Sequence, residues 1–443
     1  MIPIILQNLI THTVTLADTF MVGMLGEQYM AAATMAATPL FMFVVANFGV
    51  QSGAGILVAQ YWGKRNTDAI NRVLGVGLYC SIAVTLTGAV IVSILPNQIL
   101  GLITNDSSLV QIGVPYARIV GYAQTLSAIS MIYLACQRSM ENTRIGVVVL
   151  LISSVFNVFG NWVLIFGKLG MPALGLKGAA IATLCARAVE VIVISIYAFN
   201  NSRLKIKILL VLKPGIIIFK DYIKYSLPVL CEEALYGLGV MMFPVIFGHM
   251  FGAQSVLAAY TIAANLDRVL AVTVNASGSA TAVIIGREIG AGRRDRVESV
   301  AKSLISMALI FGLLSGILLL IVRFTVLETF VYRLFDLSKE AASSATIMIT
   351  ILMCVIPLRT VGYTMGIGVL RGGGDVKAVL YLDIGTLYFI AIPMAAITGL
   401  VLKTGIAIVY LSFLFEEIGK VTIAAIRVKS KKWINDVTRE QLE

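Results

Sequence analysis

The feature that most constrains this chain is a series of apolar runs long enough to cross a lipid bilayer. Val73 to Leu95, Ile145 to Phe166, Ser303 to Val322 and Val379 to Ile397 each approach the roughly 20 residues that a helix needs to span the hydrocarbon core. Polar gaps separate them, whereas the strands of a membrane barrel would read as alternating segments of about 10 residues. The expected fold is therefore an all-α integral membrane protein. Only 13% of the residues are charged, against roughly a quarter in a soluble domain, so lipid must be the solvent for much of the surface. The opening "MIPIILQNLI" has no positively charged leader and no small-residue cleavage site, and it reads as the start of the first membrane helix.

Hydropathy places twelve spans, near residues 2–24, 34–61, 73–95, 109–135, 145–166, 175–199, 222–248, 256–285, 302–322, 343–368, 378–398 and 404–426. Several exceed the length of a perpendicular helix, which implies tilt or projecting ends. The loops between them sort by charge. If the N-terminus is placed in the cytoplasm, one side receives Lys64, Arg65, Arg72, Arg138, Arg144, the connector "SRLKIKILLVLKPGIIIFKDYIK", Arg287 to Arg296, Arg371, Lys377 and the tail with Lys429, Lys431 and Lys432. The other side receives Lys168, Lys177, Arg323, Arg333, Lys339 and Lys403. The asymmetry predicts a multi-pass protein of the plasma (inner) membrane with both termini cytoplasmic. The net charge of +11 then reflects topology and contact with anionic lipid, and no nucleic-acid partner is expected.

The longest polar interruption, residues 200–224, falls at the midpoint, and the halves on either side of it are related. "GILVAQYWGKRNTDAINRVLG" aligns with "AVIIGREIGAGRRDRVESVAK", placing Gly63 on Gly290 at a displacement of 227. "RSMENTR" aligns with "RGGGDVK", placing Arg138 on Arg371 and Asn142 on Asp375 at 233. "GEQYMAA" and "GAQSVLAA" agree from Gly26 to Gly252 at 226. Six spans per half, an even number, put both halves into the membrane in the same orientation. The predicted organisation is an N-terminal six-helix lobe (residues 1–200), a cytoplasmic connector (201–224), a C-terminal six-helix lobe (225–428) and a cytoplasmic tail (429–443). The lobes would be parallel, pseudo-two-fold repeats around a central cleft, the arrangement in which transporters bind substrate between the halves.

Taken in order, "PIILQN", "ADTFMVGMLG", "GILVAQYWGKRN", "FNVFGNWVLIFG", "GLKGAAIAT", "LPVLCEEALYGLG", "IGAGRRD", "LRGGGD" and the closing "KSKKW" cover nearly the whole chain. In these motifs the sequence resembles the multidrug and toxic compound extrusion (MATE) family of secondary transporters. The resemblance implies cation-driven export of drugs or metabolites from two six-helix lobes.

Asp18 is the first candidate for the chemistry. An ionised carboxylate in mid-membrane costs several kcal/mol unless it is paired or hydrated, and such residues mark ion or proton pathways. The alternative is an acid hydrogen-bonded to a neighbouring helix for packing alone. Asn157 and Asn161, four apart, share one face of the fifth span, and Thr183 in the sixth adds a hydroxyl. The resemblance implies that Asp18, Asn157, Asn161 and Thr183 form the polar network of the N-terminal lobe. Some members carry a second acid at the position of Asn161, so a single proton is easier to support here than a two-acid site, with sodium at Asp18 as the other reading. In the C-terminal lobe Glu232, Glu233 and Glu416 are candidates for a second acidic site. Glu233 matches an acid common in part of the family, and the alternative for both Glu232 and Glu233 is an interfacial acid answering Lys220 and Lys224. Thr360, beside Arg359, stands where some members bind cation through an aspartate. Asp267 with Arg268, Arg118, Arg187 with Glu190, Asp383, Glu416 and Glu417 complete the intramembrane charges, the last two with no local partner in sequence. Gln7, Tyr236, Met241, Tyr363 and Met365, with Met242 and Phe243, are candidates for an adaptable cleft wall, packing being the alternative for each.

No GxxxxGK[ST] loop occurs, so ATP is not the evident energy source. "RGGGD" reads as a tight cytoplasmic turn. His12 and His249 form no HExxH motif, and Cys80, Cys136, Cys185, Cys231 and Cys354 form no CxxC pair, so neither a metal centre nor a cofactor is expected and the cysteines read as buried apolar residues. Pro115, Pro244, Pro357 and Pro393 fall inside spans and are candidate bends. The expectation is a monomeric, non-enzymatic antiporter that exports small molecules and takes protons, or less readily sodium, in exchange. A lipid-linked precursor flippase of the same superfamily is the alternative, and an intramembrane transferase lacks any catalytic constellation.

Overall fold

The computed structural model describes residues 2–104, 106–201, 203–331 and 338–439, and among them there are helices and turns with no strand. Arg333 of the predicted loop charges lies outside the described residues. The long helices, in chain order, are α1 (Ile2–Gly23), α2 (Glu27–Gly63), α3 (Thr67–Ile94), α4 (Ser107–Ser139), α5 (Arg144–Phe166) and α6 (Gly175–Asn200). They continue with α7 (Ile216–Gly248), α8 (Ala253–Gly290), α9 (Arg294–Leu327), α10 (Lys339–Arg371), α11 (Val376–Val401) and α12 (Ile406–Lys429). Ten of these, α2 to α11, are long and apolar enough to cross a membrane. The first and last, of 22 and 24 residues, are more polar, with Asp18 in α1 and Glu416, Glu417 and Lys420 in α12.

Turn chemistry ends the helices where the sequence changes character. Asn66 accepts from the Ala69 amide at the start of α3, and Asp106 accepts from the Ser108 and Leu109 amides at the start of α4, each satisfying orphan donors of a first turn. Positive-φ positions recur at the displacements of the sequence repeat: Gly26 with Gly252, Arg65 with Gly292, Glu141 with Gly374, and Gly170 with Lys403. Positive-φ turns thus occur at corresponding places in the two halves, even where the residue is not glycine.

The chain forms two compact units, one of Ile2–Leu230 with Thr438 and Arg439, the other of Cys231–Val437. In the first, α2 packs on α3 and α4, α4 on α3 and α6, α6 on α5, and α5 on α1. In the second, α8 packs on α9 and α10, α10 on α9 and α12, α12 on α11, and α11 on the last part of α7. The two packing orders correspond helix for helix. Met35, Leu40, Leu100 and Val120 belong to the core of the first unit, and Phe243, Phe247, Met348 and Leu352 to that of the second. Phe243 is thus a core residue and no part of a cleft wall. Of the cysteines, Cys136 is buried, whereas Cys185, Cys231 and Cys354 lie on helix exteriors, so the expectation of uniformly buried cysteines fails for those three. Pro115 and Pro357 sit inside helices, and Pro244 follows the interruption of α7 at Met241. Pro393 lies between two stretches of wide, π-type turns, Leu387–Ala391 and Ile397–Val401.

The first part of α7 closes on α2 through glycine. A Cβ at Gly53 would stand 1.8 Å from Ser226 Oγ, and one at Gly49 would stand 2.8 Å from Leu230 Cβ. Two glycines one turn apart let the backbones approach, as in small-xxx-small contacts between membrane helices, and Tyr222 Oη donates to the Val50 carbonyl across the same seam. Replacing Gly53 with leucine is expected to destabilise the protein by about 1–3 kcal/mol, read as a lower unfolding midpoint in detergent, with Gly101→Leu, where the added side chain meets open space, as the control.

Candidate functional site

In the first unit a polar seam runs between α5 and α6. Ser153, Asn157 and Asn161 recur every four residues along α5 and so line one face, and all three are buried. Asn161 Nδ2 donates to Asp18 Oδ1 of α1 at 2.5 Å, and Asn157 Nδ2 donates to Thr183 Oγ1 of α6 at 3.3 Å. One turn further along, Ser153 Oγ donates to Glu190 Oε2 at 3.3 Å, and Arg187 closes an ion pair with the same oxygen at 2.5 Å. The structure therefore brings Asp18, Asn157, Asn161 and Thr183 into one seam and extends it with Ser153, Arg187 and Glu190. Sequence gives Asp18 no basic neighbour; the fold places the Arg187 guanidinium within electrostatic reach of it, and Tyr116 of α4 as well.

The side-chain carbonyl oxygens of Asn157 and Asn161 are buried and find no hydrogen-bond donor among the described residues. Each such orphan acceptor costs on the order of 1–3 kcal/mol. A half-buried carboxylate beside two unsatisfied oxygens is an arrangement that a proton or a small cation completes. The i, i+4, i+8 spacing of Ser153, Asn157 and Asn161 is a sequence signal for the longer seam, since hydroxyl and amide then fall on one stripe.

The second unit holds a more heavily charged network. Arg371, at the end of the wide-turned stretch Thr364–Arg371, pairs with Glu232 at 2.6 Å and lies 3.7 Å from Glu233. Asp383 of α11 acts on both glutamates and lies 3.6 Å from Lys420 Nζ, which pairs with Glu416 at 2.8 Å and stands 4.8 Å from the centre of the Tyr236 ring. Arg359 pairs with Asp267 at 2.6 Å and Glu417 at 2.9 Å. Two expectations are corrected here. Glu232 and Glu233 answer Arg371, while Lys220 and Lys224 are exposed. Glu416 and Glu417 have partners, one a turn away on α12 and one on α10. Sequence could not find the second, because Arg359 and Glu417 are 58 residues apart.

Among the described residues this network joins six acids (Glu232, Glu233, Asp267, Asp383, Glu416, Glu417) to three bases (Arg359, Arg371, Lys420). Fully ionised, it would leave negative charge unbalanced within a helical bundle, where uncompensated charge is expensive. Thr360 is buried and donates to the Ile356 carbonyl.

The candidate cleft residues belong to both units, Gln7 to the first and Tyr236, Met241, Tyr363 and Met365 to the second. Gln7 is buried and donates to the Thr143 carbonyl at 2.8 Å. Tyr236 borders Lys420, Tyr363 packs against Gly278 and is half-buried, Met365 is half-buried, and Met241 is exposed at the break in α7. No group of three or more histidine, cysteine or acidic side chains is arranged to hold a metal among the described residues.

The MatE family model matches residues 3–163 and 228–397. The chain is 23% identical to an uncharacterized transporter of Bacillus subtilis, YisQ, over 94% of this chain and 90% of that one. It is also 23% identical to a probable multidrug resistance protein, NorM, of Pasteurella multocida, over 89% and 83%. In structure it is similar to a transporter of the MOP superfamily from Pyrococcus furiosus, with a TM-score of 0.85 and 18% identity over 97% of this chain and 95% of that one.

The Arg371–Glu232 pair makes a direct test of the charged network. Arg371→Met strands a buried glutamate, and the expected loss is about 3–5 kcal/mol of stability, seen as a lower unfolding midpoint. Adding Glu232→Gln removes the stranded charge and is expected to restore part of that loss. An equal loss in the double variant would mean that the pair is not its cause.

Proposed function

The chain belongs to the MatE family of transporters, and on that premise we propose that it is a cation-coupled antiporter that exports drugs, toxic organic cations or metabolites. Family relatives are transporters and not enzymes, and a multi-pass membrane protein of this kind takes small molecules as substrates. Twelve spans in two six-helix lobes around a central cleft, with both termini in the cytoplasm, are part of the same reading. Its supports are the matching positive-φ turns, the corresponding packing orders, the two stretches matched by one family model, and the bias of lysine and arginine toward one set of loops.

One observation carries the coupling: Asp18 is hydrogen-bonded by Asn161 beside two buried amide oxygens that find no donor among the described residues. A proton fits better than sodium because the seam's other carboxylate, Glu190, is already held by Arg187, while Asp18 receives an N–H donor and lies within electrostatic reach of the same guanidinium. Sodium prefers several oxygens and no neighbouring cation. In the proposed cycle a proton enters from outside and neutralises Asp18. A hydrogen bond to a carboxylate is roughly twice as strong as one to a neutral acceptor, so protonation loosens the tie between α1 and α5 and lets α1 repack. Substrate leaves outward, and the proton is later released inward. Substrate and proton must each disfavour the other, by the same factor in either direction. Glu232, Glu233 and Glu416 supply a second acidic site, whose excess of acids over bases suits protons or a cationic substrate.

Asp18→Asn is expected to insert and fold normally yet lose gradient-driven efflux. The measurement is transport in vesicles under separately imposed proton and sodium gradients, and full activity in the variant would sink the mechanism. Drive by sodium alone in the unmodified protein would replace the proton with sodium at the same seam.

A further inference from the structure

Between α6 and α7 the chain runs along one end of α3 and is tied to it mainly through backbone atoms. Asn71 donates its amide to the Lys205 carbonyl at 3.2 Å and accepts from the Lys207 amide at 3.1 Å. Arg72 donates to the Pro214 carbonyl at 3.3 Å, and Tyr79 Oη donates to the Leu212 carbonyl at 3.0 Å. The helical turn Ile208–Leu212 lies so near α3 that a Cβ at Gly75 would stand 2.2 Å from the Val211 oxygen. Since the backbone faces α3, the side chains face away. Ile208, Leu209, Leu212 and Ile216 are 56%, 67%, 58% and 65% exposed, and Phe219 continues the row.

Cations interleave with these apolar groups: Arg203, Lys205, Lys213, Lys220 and Lys224 are all exposed. The nearby acids are already engaged, Asp68 by Lys207 at 2.6 Å and Asp221 by the two nitrogens of Arg439. The stretch therefore presents a positive face studded with large apolar side chains. A water-facing loop would not keep such a row. Interfacial segments have this composition, with apolar side chains at the acyl boundary and cations at the phosphates. Position in the chain selects the same partner, because the stretch joins two helices fit to cross a membrane, Gly175–Asn200 and Ile216–Gly248, and so lies where a bilayer surface must be. A soluble anion would use the lysines and leave the isoleucines and leucines unexplained.

We propose that residues 203–220 are an interfacial anchor that binds the headgroups of anionic phospholipid and, through Asn71, Arg72 and Tyr79, fixes the adjoining end of α3. The proposal rests on the membrane embedding and not on the transport cycle. The test is amide hydrogen exchange of the full chain reconstituted in vesicles of phosphatidylcholine alone, in vesicles containing phosphatidylglycerol, and in phosphatidylcholine vesicles with added inorganic phosphate. Amides of 204–213 are expected to exchange more slowly with the anionic lipid, by about fivefold for each lysine engaged. Lys205→Gln with Lys213→Gln and Lys220→Gln should remove that difference while the amides of α3 keep their protection. Equal exchange in neutral and anionic vesicles would overturn the anchor, as would an undiminished lipid effect in the triple variant or reproduction of the effect by free phosphate. Should the triple variant fail to fold, equal exchange of the unmodified protein in neutral and anionic vesicles still overturns the anchor.

Discussion

Lipid offers no partner to a polar group, and every other feature of this structure depends on that constraint. Helices satisfy the backbone within each segment. Hydroxyls along them turn inward on their own helix: Thr11, Thr15 and Thr19 of α1 each donate to the carbonyl four residues earlier. Charges pair within a helix where the spacing allows, as Arg187 with Glu190 and Lys420 with Glu416, and otherwise find one another across helices, as Arg371 with Glu232 and Arg359 with Asp267 and Glu417.

The two units answer the constraint differently. The first ties Asp18 to Asn161, on a stripe that also joins Asn157 to Thr183, within the field of a guanidinium already tied to Glu190. The second gathers twice as many acids as bases and pairs them in chains, Arg371 with Glu232, Lys420 with Glu416, and Arg359 with Asp267 and Glu417. A network of that kind holds its helices in register, because removing any one of its bases strands acids in low dielectric. It also leaves more acids than bases among the described residues of the network.

Close backbone approach is the other consequence of having little hydrophobic drive between helices in lipid. Gly49 and Gly53 let α7 lie on α2, and Gly75 admits the connector to α3. These glycines work through position alone, so each is silent in hydropathy.

How much was legible follows from the range over which each signal acts. Helix lengths, the repeat, the "RGGGD" turn and the shared face of Asn157 and Asn161 are local or periodic, and the sequence by itself determined them because backbone satisfaction and helical period act within a few residues. Asp18 could be singled out for the same reason, as a charge in an apolar run. Its partners Asn161 and Arg187, the capture of Glu232 by Arg371, and the seating of Gln7 on Thr143 were decided only by tertiary structure. Each joins residues more than a hundred positions apart, and among several buried charges of each sign nothing in the chain says which will pair until the helices pack.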